Sequence, residues 1–180
     1  VFVIPLYSAS AVSRTLTWSK IPRSRNYELK LNGEEMGILR RPGWFETSFL
    51  VETQDGQWTF RRAGCFGGGA EILDSVSRQP IASFKSLWGT GGGMLTFADG
   101  QTFQLKCEGW WRPVWSVIGQ SGETLLRLQA REKTVEVPSS PRSGEAVPQR
   151  RLSLLIMFTF YRVLQAEEDA ATAVLVAGAS

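Results

Sequence analysis

The strongest constraint on this chain lies near its C-terminal end, in the run Leu152-Ser-Leu-Leu-Ile-Met-Phe-Thr-Phe-Tyr-Arg-Val-Leu164. Ten of these 13 residues are apolar. At about 3.6 residues per turn they cover every side of a helix, and a helix of that kind must be surrounded by protein or by lipid. A membrane span needs about 20 largely apolar residues. Here Arg162 interrupts the run, and Glu167-Glu-Asp169 would lie inside any longer span, where acidic side chains are strongly disfavoured. A surface helix needs a polar face, which this segment lacks. The place left is the inside of a β-structure that closes around it, with a membrane anchor through 152–164 as the alternative.

The rest of the chain supplies such a structure. From Thr15 onward, strand-like runs alternate with turn dipeptides. Tyr27-Glu-Leu-Lys-Leu31 leads to Asn32-Gly33, and Phe49-Leu-Val-Glu-Thr53 leads to Asp55-Gly56. Met94-Leu-Thr-Phe97 leads to Asp99-Gly100, and Trp115-Ser-Val-Ile118 leads to Ser121-Gly122. Asn-Gly and Asp-Gly provide the positive φ that tight hairpins use. Thr102, Gln104 and Lys106 alternate with Phe103, Leu105 and Cys107, the pattern of an antiparallel sheet with one face buried. Short strands recurring at roughly ten-residue spacing predict an all-β sandwich or barrel. About twelve strands would leave room inside a closed barrel for a helix, whereas eight leave room only for side chains.

The expected organisation is an irregular leader over residues 1–13, a β-barrel over 14–137, a Pro/Ser-rich linker over 138–150 and a hydrophobic helix over 151–180. That helix is one segment or two, because Asp169 is suited to cap a second helix before the small apolar residues 170–177. A barrel near 30 Å tall would hold roughly 20 helical residues at about 1.5 Å each, so part of 152–177 must leave the bore. The bulky half is the better filling, with Leu155, Ile156, Phe158, Phe160 and Leu164 as core positions; the small-residue half suits a narrower bore. Gln149, Arg150 and Arg151 open the helix, where cations oppose the helix dipole. Such a misfit sometimes reflects an anionic partner elsewhere and more often has no consequence.

Several function classes find no support. The chain has no His, so the commonest general base and metal ligand is missing. Cys65 and Cys107 are its two cysteines and do not form a C-x-x-C pair; they read as small buried residues of a reducing, cytoplasmic compartment. The Gly-rich stretches Gly64-Cys-Phe-Gly-Gly-Gly69 and Gly89-Thr-Gly-Gly-Gly93 match neither a dinucleotide fingerprint nor a P-loop. Glu34 and Glu35 are neighbours in a strand and so face opposite ways. No nucleophile–base pattern appears. The expectation is a non-enzyme with no cofactor and no metal.

The charges are unevenly placed. Net charge is +3, yet Glu167, Glu168 and Asp169 are the only charges in residues 165–180, and Arg outnumbers Lys 15 to 5. Arginine and tryptophan interleave at Arg40-Arg41-Pro-Gly-Trp44, Trp58-Thr-Phe-Arg-Arg62 and Trp110-Trp-Arg-Pro-Val-Trp115. The plain reading is core Trp beside solvated Arg. The functional one is an interface for lipid headgroups, or for single-stranded nucleic acid by base stacking.

The repeated hairpins, the segment Gly109-Trp-Trp-Arg-Pro-Val-Trp115 leading to Gln120-Ser-Gly122, and the terminal helix together resemble the tubby C-terminal-like superfamily. That group includes plant LURP-one-related proteins, phospholipid scramblases and tubby proteins. The resemblance implies a twelve-stranded antiparallel barrel enclosing its C-terminal helix, and it favours phospholipid over nucleic acid. The expected function is a non-catalytic binding or scaffold module, peripheral to the membrane. It would bind anionic lipid through Arg40, Arg41, Arg61, Arg62 and Arg112 with Trp44 and Trp111. A structural or protein-interaction domain without a small ligand is the alternative.

Overall fold

The computed structural model of the chain describes residues 14–41, 43, 48–64, 68–87, 92–109, 111–138 and 147–177. It contains twelve strands and one helix. The strands are β1 (Arg14–Lys20), β2 (Tyr27–Leu31), β3 (Glu34–Arg40), β4 (Ser48–Thr53), β5 (Gly56–Ala63) and β6 (Gly69–Asp74), followed by β7 (Pro80–Ser86), β8 (Gly93–Phe97), β9 (Thr102–Glu108), β10 (Val114–Ile118), β11 (Thr124–Gln129) and β12 (Thr134–Val137). Each strand pairs with its neighbours in sequence, and β1 pairs antiparallel with β12, Leu16 opposite Val135, so the sheet closes into a barrel with no free edge. The helix α1 (Gln149–Ala177) threads the bore.

Alternation along the strands separates inside from outside. Phe103 and Leu105 of β9 are buried while Lys106 is exposed, and Cys107 is a half-buried free thiol packed against the core. The turns follow the expected chemistry at Asn32-Gly33, Gly100 and Gly122, all of which have positive φ. Asp55-Gly56 does not, and the expectation of a positive-φ glycine there is corrected. Gly56 is the first residue of β5, paired with Thr53. A glycine is required there because a Cβ would lie 2.9 Å from the Trp58 ring and 3.2 Å from Arg150 Nε. The helix packs too closely over this turn for a side chain.

The bulky half of the terminal segment fills the bore. Residues 152–165 are buried on every side, Leu155, Ile156, Phe158 and Phe160 completely and Leu164 nearly so. Phe160 stacks on Trp18 with ring centroids 3.9 Å apart and planes 7° from parallel. Phe158 meets Phe60 and Phe84 edge-on at 5.5 and 5.4 Å. Tyr161 packs on Phe49 and Phe60. The helix dispenses with a lipid environment because the strands provide the apolar surround, so the anchoring role considered for 152–164 is corrected. Among the described residues no helix is long and apolar enough to cross a membrane.

Two further expectations about the helix change. The buried run is shorter than 20 residues: strands of four to eight residues enclose only 152–165, or roughly 21 Å of helix at about 1.5 Å per residue. The helix is also one segment. It continues through Asp169 without a second cap, and Ala170 to Val174 are exposed beyond the barrel. Asp169 is used as an ion-pair partner instead.

Candidate functional site

Strand direction gives the barrel two unlike ends. At the base, where the helix begins, lie the turns β2–β3, β4–β5, β6–β7, β8–β9 and β10–β11. At the mouth, where the helix emerges, lie the turns β1–β2, β9–β10 and β11–β12 together with the C-terminal ends of β3, β5 and β7.

At the base, the helix start is held by carboxylates from three turns. Asp55 accepts hydrogen bonds from Gln149 Nε2 at 3.0 Å and from Ser153 Oγ. Asp74 pairs with Arg150 at 3.1 Å, and Asp99 with Arg151 at 2.7 Å. Arg151 also lies over the Phe97 ring, 4.4 Å from its centroid. The first turn of the helix contains no acidic residue, so these aspartates provide the negative charge that a helix N-terminus favours. The misfit of Arg150 and Arg151 at the helix start is thereby resolved by Asp74 and Asp99. Hydrogen bonds from the Ser77 N–H and hydroxyl hold the Asp74 carboxyl below the usual aspartate range. The Arg151 hydrogen bond does the same for Asp99. A cleft of about 620 Å³ opens here, lined by Trp58, Ile81, Phe97 and Leu154 with the two arginines and their aspartates.

At the mouth, the expected arginine set divides in two. Arg40 and Arg61 point outward and pair across the strands with Glu52 at 3.2 Å and Glu71 at 2.6 Å. Arg41 and Arg62 point toward the helix. Arg41 pairs with Glu168 and lies over the Phe49 ring, and Arg62 pairs with Asp169 at 2.8 Å. The pleat that separates Glu34 from Glu35 separates Arg61 from Arg62 as well, so the four arginines do not form one surface. Arg112 and Trp111 sit together and exposed between β9 and β10 at the mouth, Trp111 at 77%. Trp44 lies outside the described residues. Trp18, Trp58 and Trp115 are core residues.

Sequence reasoning missed the innermost member of this end. Arg162 lies on the buried part of the helix, 9% exposed, with its guanidinium 4.6 Å from the centroid of the Phe84 ring. It donates to Gln165 Oε1 at 2.5 Å, and Gln165 Nε2 donates in turn to the Tyr161 hydroxyl at 2.5 Å. Its Nε has no hydrogen-bond partner among the described residues. Burial lowers the pKa of Arg162 and pushes the Tyr161 phenol far above its ordinary value. The visible signal was Arg162 itself, the one charge within an otherwise uncharged run from Leu152 to Gln165.

Beside the helix a mouth cleft of about 310 Å³ is lined by Lys20, Arg25, Tyr27 and Arg41 facing Glu167 and Glu168. Burial, with Glu167 and Glu168 nearby, raises the Tyr27 phenol pKa. Around the rim, Lys85, Lys106 and Arg112 make no ion pair among the described residues. No group of three or more His, Cys, Asp or Glu among the described residues is placed to hold a metal ion.

No protein-family model matches the chain. No curated protein sequence matches it either. Among solved structures it is similar in fold to the X-ray structure of an Arabidopsis thaliana protein, AT5G01750, with a TM-score of 0.51 over 87% of this chain and 95% of that one, at 14% identity. At that identity the likeness concerns the path of the chain: a closed antiparallel barrel of twelve strands with one C-terminal helix packed against them.

Proposed function

We propose that this chain is a non-catalytic binding module of tubby-like type that docks with its mouth on anionic phospholipid, as a peripheral protein of the cytoplasmic side. The barrel with its enclosed helix supports the tubby-like assignment at the level of fold. The observation that carries the lipid reading is the asymmetry between the two ends. Base turns bear Glu34, Asp55, Asp74, Asp99 and Glu123, whereas the rim of the mouth bears Lys85, Lys106 and Arg112, which make no ion pair among the described residues, with Trp111 exposed beside Arg112. Cations of this kind gain about 1 kcal/mol each near an anionic leaflet, and Trp prefers the depth of the headgroups. Arg40 and Arg61 belong to the outer wall in this reading, because Glu52 and Glu71 already neutralise them.

Vesicle flotation tests it. The chain is expected to float with vesicles of phosphatidylcholine and phosphatidylserine at low salt, to release as salt rises, and to ignore phosphatidylcholine alone. Replacing Lys85, Lys106 and Arg112 by Gln together should weaken binding on the order of a hundredfold, from about 1 kcal/mol per charge. Absence of binding to the anionic vesicles at low salt refutes the reading and leaves a protein-interaction module.

A further inference from the structure

The cleft at the base has no part in docking of the mouth, and one of its walls carries an unmet hydrogen bond. Trp58 lines this cleft and is fully buried. Its indole N–H has no hydrogen-bond partner among the described residues. Buried donors in native proteins are nearly always paired, so an unpaired one calls for an explanation. Trp18 carries a similar N–H, but it stacks on Phe160 in the bore and lines neither cleft described above.

The group beside this N–H is adjustable. A methyl on Gly56 would meet Cζ2 and Cε2 of the Trp58 ring at 2.9 and 3.2 Å, and Arg150 Nε at 3.2 Å. Cε2 is the ring carbon bonded to Nε1, so Arg150 lies near the edge of the indole that carries the donor. The Arg150 side chain is 60% exposed and holds Asp74 at 3.1 Å. Exposed pairs of this kind are weak and open readily.

The other walls define the chemistry of an occupant. Ile81, Phe97, Pro148 and Leu154 make the surface beside Trp58 apolar. The charged side chains at the cleft are paired with one another, Arg150 with Asp74 and Arg151 with Asp99, and the Ser77 hydroxyl is donated to Asp74. A charged ligand would have to compete with one of these pairs for its partner. An apolar molecule with one acceptor would use the indole N–H and displace only the exposed Arg150 side chain. The volume of about 620 Å³ lies within the roughly 300–1,000 Å³ of small-molecule pockets.

We infer that the base cleft is a binding site for an uncharged, mainly apolar small molecule, whose hydrogen-bond acceptor takes the Trp58 indole N–H once the Arg150 side chain turns aside. The site lies at the opposite end of the barrel from the mouth, so it stands or falls independently of membrane docking.

Benzophenone is the probe, with two aromatic rings and one carbonyl acceptor. Diphenylmethane has the same rings and no acceptor. Each is titrated into the full chain labelled with ¹⁵N, and the Trp58 indole resonance, identified by its loss in W58F, is followed. Irradiation of the benzophenone complex then attaches the ketone to nearby C–H bonds, which mass spectrometry locates. Ala98→Trp fills the cleft from an exposed turn position, and Val174→Trp adds the same side chain beyond the mouth.

Benzophenone should shift the Trp58 indole resonance, bind roughly fivefold tighter than diphenylmethane, and label Ile81, Pro148 or Leu154. A98W should abolish the shift and the labelling, and V174W should change neither. Absence of both in the unsubstituted chain overturns the site, as does labelling that A98W leaves unchanged. Equal affinity for the two probes, with labelling confined to the cleft, overturns the role given to the indole N–H. That comparison needs no core substitution, so it decides the point even if W58F fails to fold. None of these outcomes bears on vesicle binding.

Discussion

Replacing Phe158 by Ala measures how far the helix serves as the core of the barrel. Phe158 is fully buried, and its ring meets Phe60 at 5.5 Å, Phe84 at 5.4 Å and Tyr161 at 5.8 Å. Truncating a buried phenylalanine destabilises by about 3–5 kcal/mol, and each lost aromatic pair adds about 0.5–1.5 kcal/mol. Strands cannot collapse inward to close the hole, because their spacing is set by closed hydrogen bonding around the barrel. A value near the top of the range, about 5 kcal/mol, is therefore expected. In equilibrium urea unfolding followed by Trp fluorescence, a slope of about 2 kcal/mol per molar converts this into a midpoint lower by roughly 2.5 M. Val174→Ala, on the exposed part of the same helix at 73% exposure, is the internal control and should shift ΔG by less than about 0.5 kcal/mol. A Phe158→Ala loss below about 1 kcal/mol, or equal losses for the two variants, would refute the placement of residues 152–165 in the bore.

Gly56→Ala should destabilise by about 1–3 kcal/mol although φ there is not positive, because the new methyl meets the Trp58 ring and Arg150 Nε; a melting temperature equal to wild type would show that the turn and helix start are not in contact. The base carboxylates should make stability sensitive to acid. Asp74 and Asp99 have pKa values below the ordinary 3.8 in the folded state, so their contribution is complete above that value and disappears as pH falls through the depressed ones. Urea midpoints measured from pH 5 downward should therefore fall more steeply for wild type than for D74N/D99N, and parallel curves would contradict the sign.

Much of this barrel is legible in the sequence because its rules are local. Gly33, Gly100 and Gly122 mark hairpins whatever surrounds them, and the alternation through Phe103 and Leu105 needs no knowledge of the partner strand. The helix was legible for a different reason: apolarity on every side of 152–164 demands enclosure, and the hairpins were the only available wall. Several of the misreadings concern distances between elements. Barrel height depends on strand length and tilt, so the buried run was overestimated. Asp55, Asp74 and Asp99 resembled ordinary turn residues because their partners are 94, 76 and 52 residues away in the chain. The paired arginines resembled one patch, although the pleat rule that separates Glu34 from Glu35 applies equally to Arg61 and Arg62.

The charge asymmetry of the barrel follows from the threading of the helix. A buried helix delivers the positive end of its dipole to one end of the bore, and its first residues here add Arg150 and Arg151. The turns at that end are acidic in response: Asp74 and Asp99 pair with those arginines, and Asp55 holds Gln149 and Ser153. At the opposite end the exposed Glu108 and Glu132 lie on the strand ends and turns, and the helix brings further negative charge out of the bore. It carries Glu167, Glu168 and Asp169, whose two ion pairs among the described residues are with Arg41 and Arg62, while Arg162 below them and Lys85, Lys106 and Arg112 around them make no ion pair among the described residues. The placement of the acidic turn one turn beyond the last buried residue is therefore decisive. Three residues earlier it would be buried in the bore, and three later it would miss the rim. At its actual position it reaches Arg41 and Arg62. At the base the helix cations meet carboxylates of the turns, and at the mouth the helix carboxylates meet arginines of the strands, so the same element is tied to the barrel by ion pairs of opposite sense at its two ends.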